Sequence, residues 1–178
     1  MLCPVSSTPA AVIGCADAQL APLGGRLWAA VSDADLVEGL GALIEVEAHL
    51  AALQARLLGE IATRDLARKK LAWASTGEWY AHTAGITRGA AHRAVVHAQL
   101  LVGEREATLA ALEAGHVSGV QAGVICAAID QLPTNPTLRA DAEERLLVEA
   151  AHLDATQLTA AGKRILTVID PDRDERRA

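Results

Sequence analysis

The sequence contains no phenylalanine, and its only aromatic residues are Trp28, Trp73, Trp79 and Tyr80. Hydrophobic residues nevertheless make up 51% of the 178 positions. The core must therefore be filled mainly by alanine, leucine, valine and isoleucine, a composition that favours closely packed helices. A chain of this length is sufficient for one sizeable core, and nothing in its length demands a second.

The sequence also lacks an excess of basic residues and any long apolar run. Its formal net charge of −6 argues against a protein that coats nucleic acid through bulk electrostatics, so any contact with DNA would have to be local. No run of roughly 18 apolar residues is present for a membrane span. The first twenty residues lack the basic start and continuous apolar stretch of a signal peptide. We therefore expect a cytoplasmic protein with no membrane partner.

Residues that could form a catalytic or metal site are few and scattered. Cys3, Cys15 and Cys126 are an odd number without a CxxC pair, which fits neither a disulfide framework nor a zinc site, so we expect unreactive thiols. His92 and His97 diverge by about 140° on a helix and cannot share a metal. No phosphate-binding loop or nucleophile elbow occurs. We expect no enzyme activity, no metal and no cofactor.

The first part of the chain is predicted to be an arm followed by one long helix. Residues 1–31 contain three prolines and no sustained period, which predicts a flexible N-terminal arm, with at most one turn of helix around Trp28. Ser32 then resembles an N-cap, and leucines and isoleucines recur at helical spacing, which predicts a helix from about 33 to about 71. Three glycines allow a bend or break in it, at Gly39, Gly41 and Gly59.

The following residues predict a helical hairpin. Ser75 and Glu78 have the spacing of a capping box, so a short helix begins at about 76 and ends at Gly85. Thr87 caps a second helix that runs to about 102. Four more helices are predicted near 104–114, 119–131, 137–153 and 156–168. The fold class is therefore all-α, a helical domain over 32–169 with a helix-turn-helix-like hairpin, followed by a charged tail over 170–178.

The second helix of the hairpin has one apolar face and one basic face. The apolar arc is expected to be buried and contains Ala90, Ala91, Ala94, Val95, Ala98, Leu101 and Val102. The opposite face contains Arg88, His92, Arg93 and His97. These four are candidate DNA contacts, because the second helix of a helix-turn-helix presents its outer face to the major groove. Two packed helices with a solvated basic face would give the same pattern.

Two further surfaces allow alternative interpretations. Arg68, Lys69 and Lys70 could add phosphate contacts, but cations also stabilise the C-terminal end of a helix. Val96 and Leu100 are apolar positions on the otherwise polar face, which suggests self-association or a helical partner. We expect any DNA binding to be weak and salt-sensitive, because the net charge opposes it.

Three segments, in a fixed order along the chain, indicate a particular protein family. They are WASTGEWYAHTAGITRGAAHRAVVHAQLL, then TLAALEAGHVSGVQAGVICAAIDQLP, and a closing helix that ends in IDPD. Over about residues 33–172 the chain resembles the domain of unknown function 222, the N-terminal region of actinobacterial 13E12-repeat proteins. Many of those proteins carry a C-terminal HNH endonuclease module.

The resemblance implies an all-helical domain of a mobile-element-derived family that is tied to DNA cleavage through a neighbouring module. An HNH site needs metal-binding histidines and an orienting asparagine on a ββα unit. Asn135 is the only asparagine and is predicted to lie in a proline loop, so no HNH residue can be transferred to this chain. We expect a non-catalytic, truncated relative of HNH endonucleases. The alternatives are a helical interaction or oligomerisation module, or the N-terminal part of an active HNH endonuclease.

Overall fold

The structure, a computed structural model, describes residues 8–169 of the chain. All regular elements in this range are helical, which confirms the predicted all-α class. Its α-helices are α1 (Pro9–Leu20), α2 (Asp33–Thr63), α3 (Leu66–Leu71), α4 (Thr76–Ala84), α5 (Arg88–Glu104), α6 (Glu106–Glu113), α7 (Gly119–Ile129), α8 (Pro136–Ala150) and α9 (Ala155–Ile169). The chain divides between Leu40 and Gly41 into two compact units.

The first unit contains a helix that was not predicted from the sequence. α1 begins at Pro9, and its N-cap Thr8 accepts a hydrogen bond through Oγ1 from the amide of Ala11 over 3.4 Å. Proline breaks a helix in its interior but fits the first turn, where its missing N–H costs no bond. The prediction of a loose arm over 1–31 therefore has to be corrected for Pro9–Leu20. The expected turn around Trp28 is present as a 3-10 helix, Trp28–Ala30.

The predicted long helix over 33–71 is two helices. α2 ends at Thr63 and α3 begins at Leu66. The break lies at Asp65, whose φ of 53° is in the left-handed region, and α2 passes through all three glycines without interruption. Aspartate tolerates this conformation better than most non-glycine residues. The sequence thus predicts a weak point in the helix, but at the wrong residues.

Gly59 contributes close packing instead of a break. A Cβ atom at Gly59 would lie 3.2 Å from Cγ2 of Val102, so the absence of a side chain lets α2 approach α5. The core of the second unit continues from this contact through small and aliphatic side chains, as the lack of phenylalanine predicts. Its buried members include Ala52, Ala55, Leu58, Val95, Ala98, Leu101, Leu109, Leu112, Ile125, Ile129, Leu146 and Leu158.

The four helices predicted after the hairpin are all present, and none of their ends differs from the prediction by more than about three residues. Ser118 forms a complete capping box with Gln121 at the start of α7. Asn135 accepts from the amide of Leu138 over 3.2 Å and caps α8, so its side chain has a local structural partner. The β-branched end of the last helix, residues 165–169, is helical as expected. The charged tail, 170–178, lies outside the described residues.

Two polar contacts of buried side chains join helices of the second unit. The buried guanidinium of Arg105, between α5 and α6, donates through Nη2 to Oδ1 of Asp130 at the end of α7 over 2.8 Å. The buried carboxylate of Glu143 in α8 accepts from Thr108 in α6. Neither pair was predicted from the sequence. Within residues 8–169, no helix combines the length and apolar character that crossing a membrane requires.

Candidate nucleic-acid interface

The hairpin consists of α4, α5 and the turn between them. Ser75 Oγ accepts from the amide of Glu78 over 3.1 Å and caps α4. α4 ends where Gly85 adopts a φ of 65°, which L-amino acids with a Cβ adopt only with strain. Thr87 Oγ1 then accepts from the amide of Ala90 over 3.2 Å and caps α5. The local sequence therefore sets the start of α4 through Ser75 and the turn between the two helices through Gly85 and Thr87, as predicted.

The two helices of the hairpin pack directly against each other, and α3 packs on α4. The first turn of α4 lies beside the N-terminal half of α5. A Cβ atom on Gly77 would be 3.7 Å from Cα of His92, an ordinary van der Waals contact. The lack of a side chain at Gly77 therefore lets α4 lie close to the backbone of α5 at His92.

The predicted buried face of α5 is largely confirmed. Ala91, Val95, Ala98 and Leu101 are buried, and Ala90 and Ala94 are partly buried. Val102 departs from the prediction, because 39% of it remains exposed where α5 passes Gly59 of α2. The helical wheel therefore gives the direction of this face correctly and overestimates its width by one residue.

Three of the four predicted contact residues on α5 face solvent. Arg88, His92 and Arg93 are exposed, and the exposed Gln99 lies further along the helix. Among residues 8–169, no carboxylate forms an ion pair with Arg88 or Arg93. Both guanidinium groups can therefore take an external anion without breaking an internal ion pair.

His97 does not lie on this exposed surface. It is partly buried and lines a cavity of about 200 Å³ together with Tyr80 and Gln54, whose side chains are hydrogen-bonded to each other. Burial lowers the pKa of His97, and the charge of Asp130 opposes this shift. Five residues after His92 the helix has turned by about 140°, so His97 is less exposed than Arg88 and Arg93, and its contact with DNA stays a prediction.

The cations of α3 are mostly engaged in the joint between α2 and α4. Lys69 Nζ donates to the carbonyl oxygen of Arg64 over 3.2 Å, just beyond the end of α2. Arg68 Nη2 donates to the carbonyl oxygen of Ala74 over 3.2 Å, and its Nε lies 4.0 Å from Asp65 Oδ2. These contacts match the helix-end interpretation of the cluster. Lys70, the third member, is exposed.

The two apolar residues of the outer face of α5 differ in their environment. Val96 is 50% exposed, whereas Leu100 is partly buried and packs against the core. Leu100 is therefore explained by the interior of the second unit. A partner surface on α5 would rest on Val96 alone.

The thiol of Cys126 is buried in the core of the second unit. Burial raises its pKa to about 12, so the nucleophilic thiolate is scarce at neutral pH. This agrees with the expectation of an unreactive thiol at that position. In the described part of the chain, no three His, Cys, Asp or Glu side chains are grouped as a metal site requires.

Comparison with known proteins gives one family. The family model described as a domain of unknown function (DUF222) matches residues 39–178. The match includes the hairpin, α3 and most of α2. Searches of curated proteins and of solved structures gave no match.

Proposed function

The chain belongs to the DUF222 family, and we propose that it is a non-catalytic helical domain that contacts duplex DNA through the outer face of α5. The observation that carries this proposal is the exposure of Arg88, His92 and Arg93 opposite a buried face. A capped hairpin supports the presentation of these side chains to a ligand, because the backbone beneath them is fixed.

The dimensions and charge of α5 suit a phosphate backbone or major groove. The helix has 17 residues and is about 25 Å long, and the major groove is about 12 Å wide. Arg88 is its first residue, where the helix dipole favours an anion. Lys70 and the still exposed Arg68 lie on α3, which packs on the other helix of the hairpin, and can add phosphate contacts.

The proposal assigns no cleavage chemistry to this domain. The resemblance to 13E12-repeat proteins supports cleavage by a separate HNH module in relatives that carry one. We expect the purified chain not to nick plasmid DNA with Mg²⁺, Mn²⁺ or Zn²⁺. Metal-dependent nicking that survives repurification and disappears on replacing one histidine would contradict this.

Fluorescence anisotropy with a labelled duplex of about 20 base pairs tests the DNA contact. We expect binding at about 20 mM salt, where the Debye length is about 20 Å, and a steep loss of affinity toward 150 mM. Arg88→Ala combined with Arg93→Ala should weaken binding and lower the log–log salt slope by roughly 0.9 for each phosphate that the variant no longer neutralises. Arg145→Ala, an exposed arginine on α8, is the matched control and should leave binding unchanged. Absence of binding at low salt would refute the proposal.

A protein partner on the same helix is the second candidate, and the 50% exposure of Val96 is the observation that favours it. Val96→Asp would then abolish association, with little dependence on salt. Light scattering of the wild type and Val96→Asp distinguishes this candidate from DNA binding.

A further inference from the structure

α2 carries a second apolar face that the core does not use. The side of α2 that faces the core contributes Ala48, Ala52, Ala55 and Leu58. The opposite side also carries apolar residues, and five of them in the second unit form what we call the α2 seam: Leu43, Val46, Leu50, Leu53 and Leu57. At about 100° per residue, the centres of the two faces lie roughly 165° apart on the helix. The α2 seam therefore points away from the interior.

The α2 seam is open to solvent. Its four leucines are 46%, 46%, 47% and 41% exposed in chain order, and Val46 is partly buried. Monomeric proteins rarely leave a contiguous row of leucines uncovered. Such a row indicates a surface that is covered in another state of the protein.

The spacing of the α2 seam indicates that the surface binds another helix. The five residues follow one another at intervals of three, four, three and four, which is the a/d pattern of a coiled coil. The positions beside the seam are polar or charged, as in coiled coils: Glu47, His49, Gln54 and Arg56. A partner needs a helix with the same leucine spacing, and a second copy of this chain supplies one.

Charge determines the orientation of that second copy. On one flank of the seam, Glu45 lies toward the start of α2 and Arg56 toward its end, while Arg64 beyond the seam is paired with Glu60. A parallel pair would bring Glu45 of both copies to the same level, whereas an antiparallel pair centred at Leu50 places Glu45 of one copy near Arg56 of the other. Opposed helix dipoles favour the same orientation.

Arg56 remains available for such a contact. Arg56 already pairs with Glu113, but both side chains are at least one-third exposed. A carboxylate of the second copy would therefore extend the existing ion pair without displacing buried groups.

We infer that two copies of this chain associate through the α2 seam as an antiparallel, two-fold symmetric helix pair. The same patch then serves on both copies, as a closed dimer requires. The inference does not depend on DNA binding, because it uses neither α5 nor α3.

The size of the α2 seam predicts a weak dimer. Fifteen residues of helix span about 22 Å, and a contact about 10 Å wide buries a few hundred Å² on each copy. Stable complexes bury about 800 Å² on each partner. We therefore expect a dissociation constant on the order of 10 µM or weaker.

Sedimentation equilibrium of the full chain between about 5 and about 500 µM tests the dimer by mass action. The wild type should fit a monomer–dimer equilibrium. Leu50→Asp, at the centre of the seam, should raise the dissociation constant at least tenfold, and Val96→Asp on α5 should leave it unchanged. A wild type that is monomeric throughout, or a dimer abolished by Val96→Asp and kept by Leu50→Asp, would overturn the inference.

Disulfide formation tests the orientation and does not depend on a charged substitution. Cys3 and Cys15 are changed to serine, and buried Cys126 is kept. Leu43→Cys and Leu57→Cys lie about 21 Å apart along α2. Mixing these two proteins should yield cross-linked heterodimers, with few homodimers of either. Predominant homodimers would mean a parallel pair, and no cross-linking would mean no seam contact; either result would overturn the antiparallel dimer.

Discussion

Glu143 in α8 accepts two hydrogen bonds from Thr108 in the first turn of α6, one from the amide over 2.8 Å and one from the hydroxyl over 2.6 Å. The first amides of a helix have no partner within the helix. Arg105, at the N-cap position of α6, makes no side-chain cap. A carboxylate from a distant part of the chain therefore caps α6 and joins it to α8.

Removing this cap should destabilise the domain. Glu143→Ala leaves the buried amide and hydroxyl of Thr108 without their acceptor, which should lower the free energy of unfolding by about 1–3 kcal/mol. Urea unfolding measures the change. Glu144→Ala, an exposed neighbour on the same helix, should cost less than about 0.5 kcal/mol. Losses of equal size in both variants would contradict the role of Glu143.

Gly162 should not accept a side chain. A Cβ atom there would lie 2.9 Å from Cβ of Ala128, where α9 crosses α7. Gly162→Ala should therefore cost about 1–3 kcal/mol through overpacking, and adding Ala128→Gly should restore part of the stability. Gly123→Ala on α7, where no atom lies within 4 Å, should be neutral or stabilising by up to about 1 kcal/mol. Thermal unfolding measures these changes. A Gly162→Ala variant as stable as the wild type would contradict the close contact.

The stability of the domain should depend on His97 below neutral pH. Because burial lowers the pKa of His97 in the folded state, the unfolded chain binds a proton more readily. Neutral His97 therefore contributes fully to the free energy of unfolding above its ordinary pKa of 6.5. This contribution is lost as the pH falls through the lower pKa that His97 has in the folded state. His97→Gln should flatten the fall in unfolding free energy below about pH 6.5. Identical pH profiles for wild type and His97→Gln would exclude this contribution.

The buried and exposed faces of α5 should respond differently to truncation. Leu101 is 1% exposed, and Leu101→Ala should cost about 2–5 kcal/mol because it leaves a cavity. Arg93→Ala should change stability by less than about 0.5 kcal/mol. Urea unfolding compares the two variants, and a similar loss in both would mean that Arg93 has a structural role.

Local signals in the sequence were sufficient for the hairpin. Ser75, Gly85 and Thr87 act on residues within five positions, so their effect can be deduced without the tertiary structure. The direction of the apolar face of α5 follows in the same way from helical periodicity.

Other features depend on contacts that spacing does not reveal. His97 shares a cavity with Tyr80 and Gln54 from two other helices, a tertiary contact that the spacing along α5 does not identify. The left-handed backbone of Asp65 has no marker in the sequence such as a glycine. The cap from Glu143 depends on α8, a helix 35 residues further along the chain. The α2 seam is visible as a leucine spacing, but only the structure shows that the core lies on the other side of the helix.

The proposed DNA contact is tested most directly by NMR, with backbone amide shifts recorded as duplex DNA is added at about 20 mM salt. We expect the largest shifts at residues 86–93, with smaller shifts near Lys70 and none around Val148 on α8. The shifts should fade as salt is raised, because the contact is electrostatic. Unchanged amides at residues 86–93, or shifts that concentrate on α8 and α9, would contradict the assignment of α5 as the DNA-contacting helix.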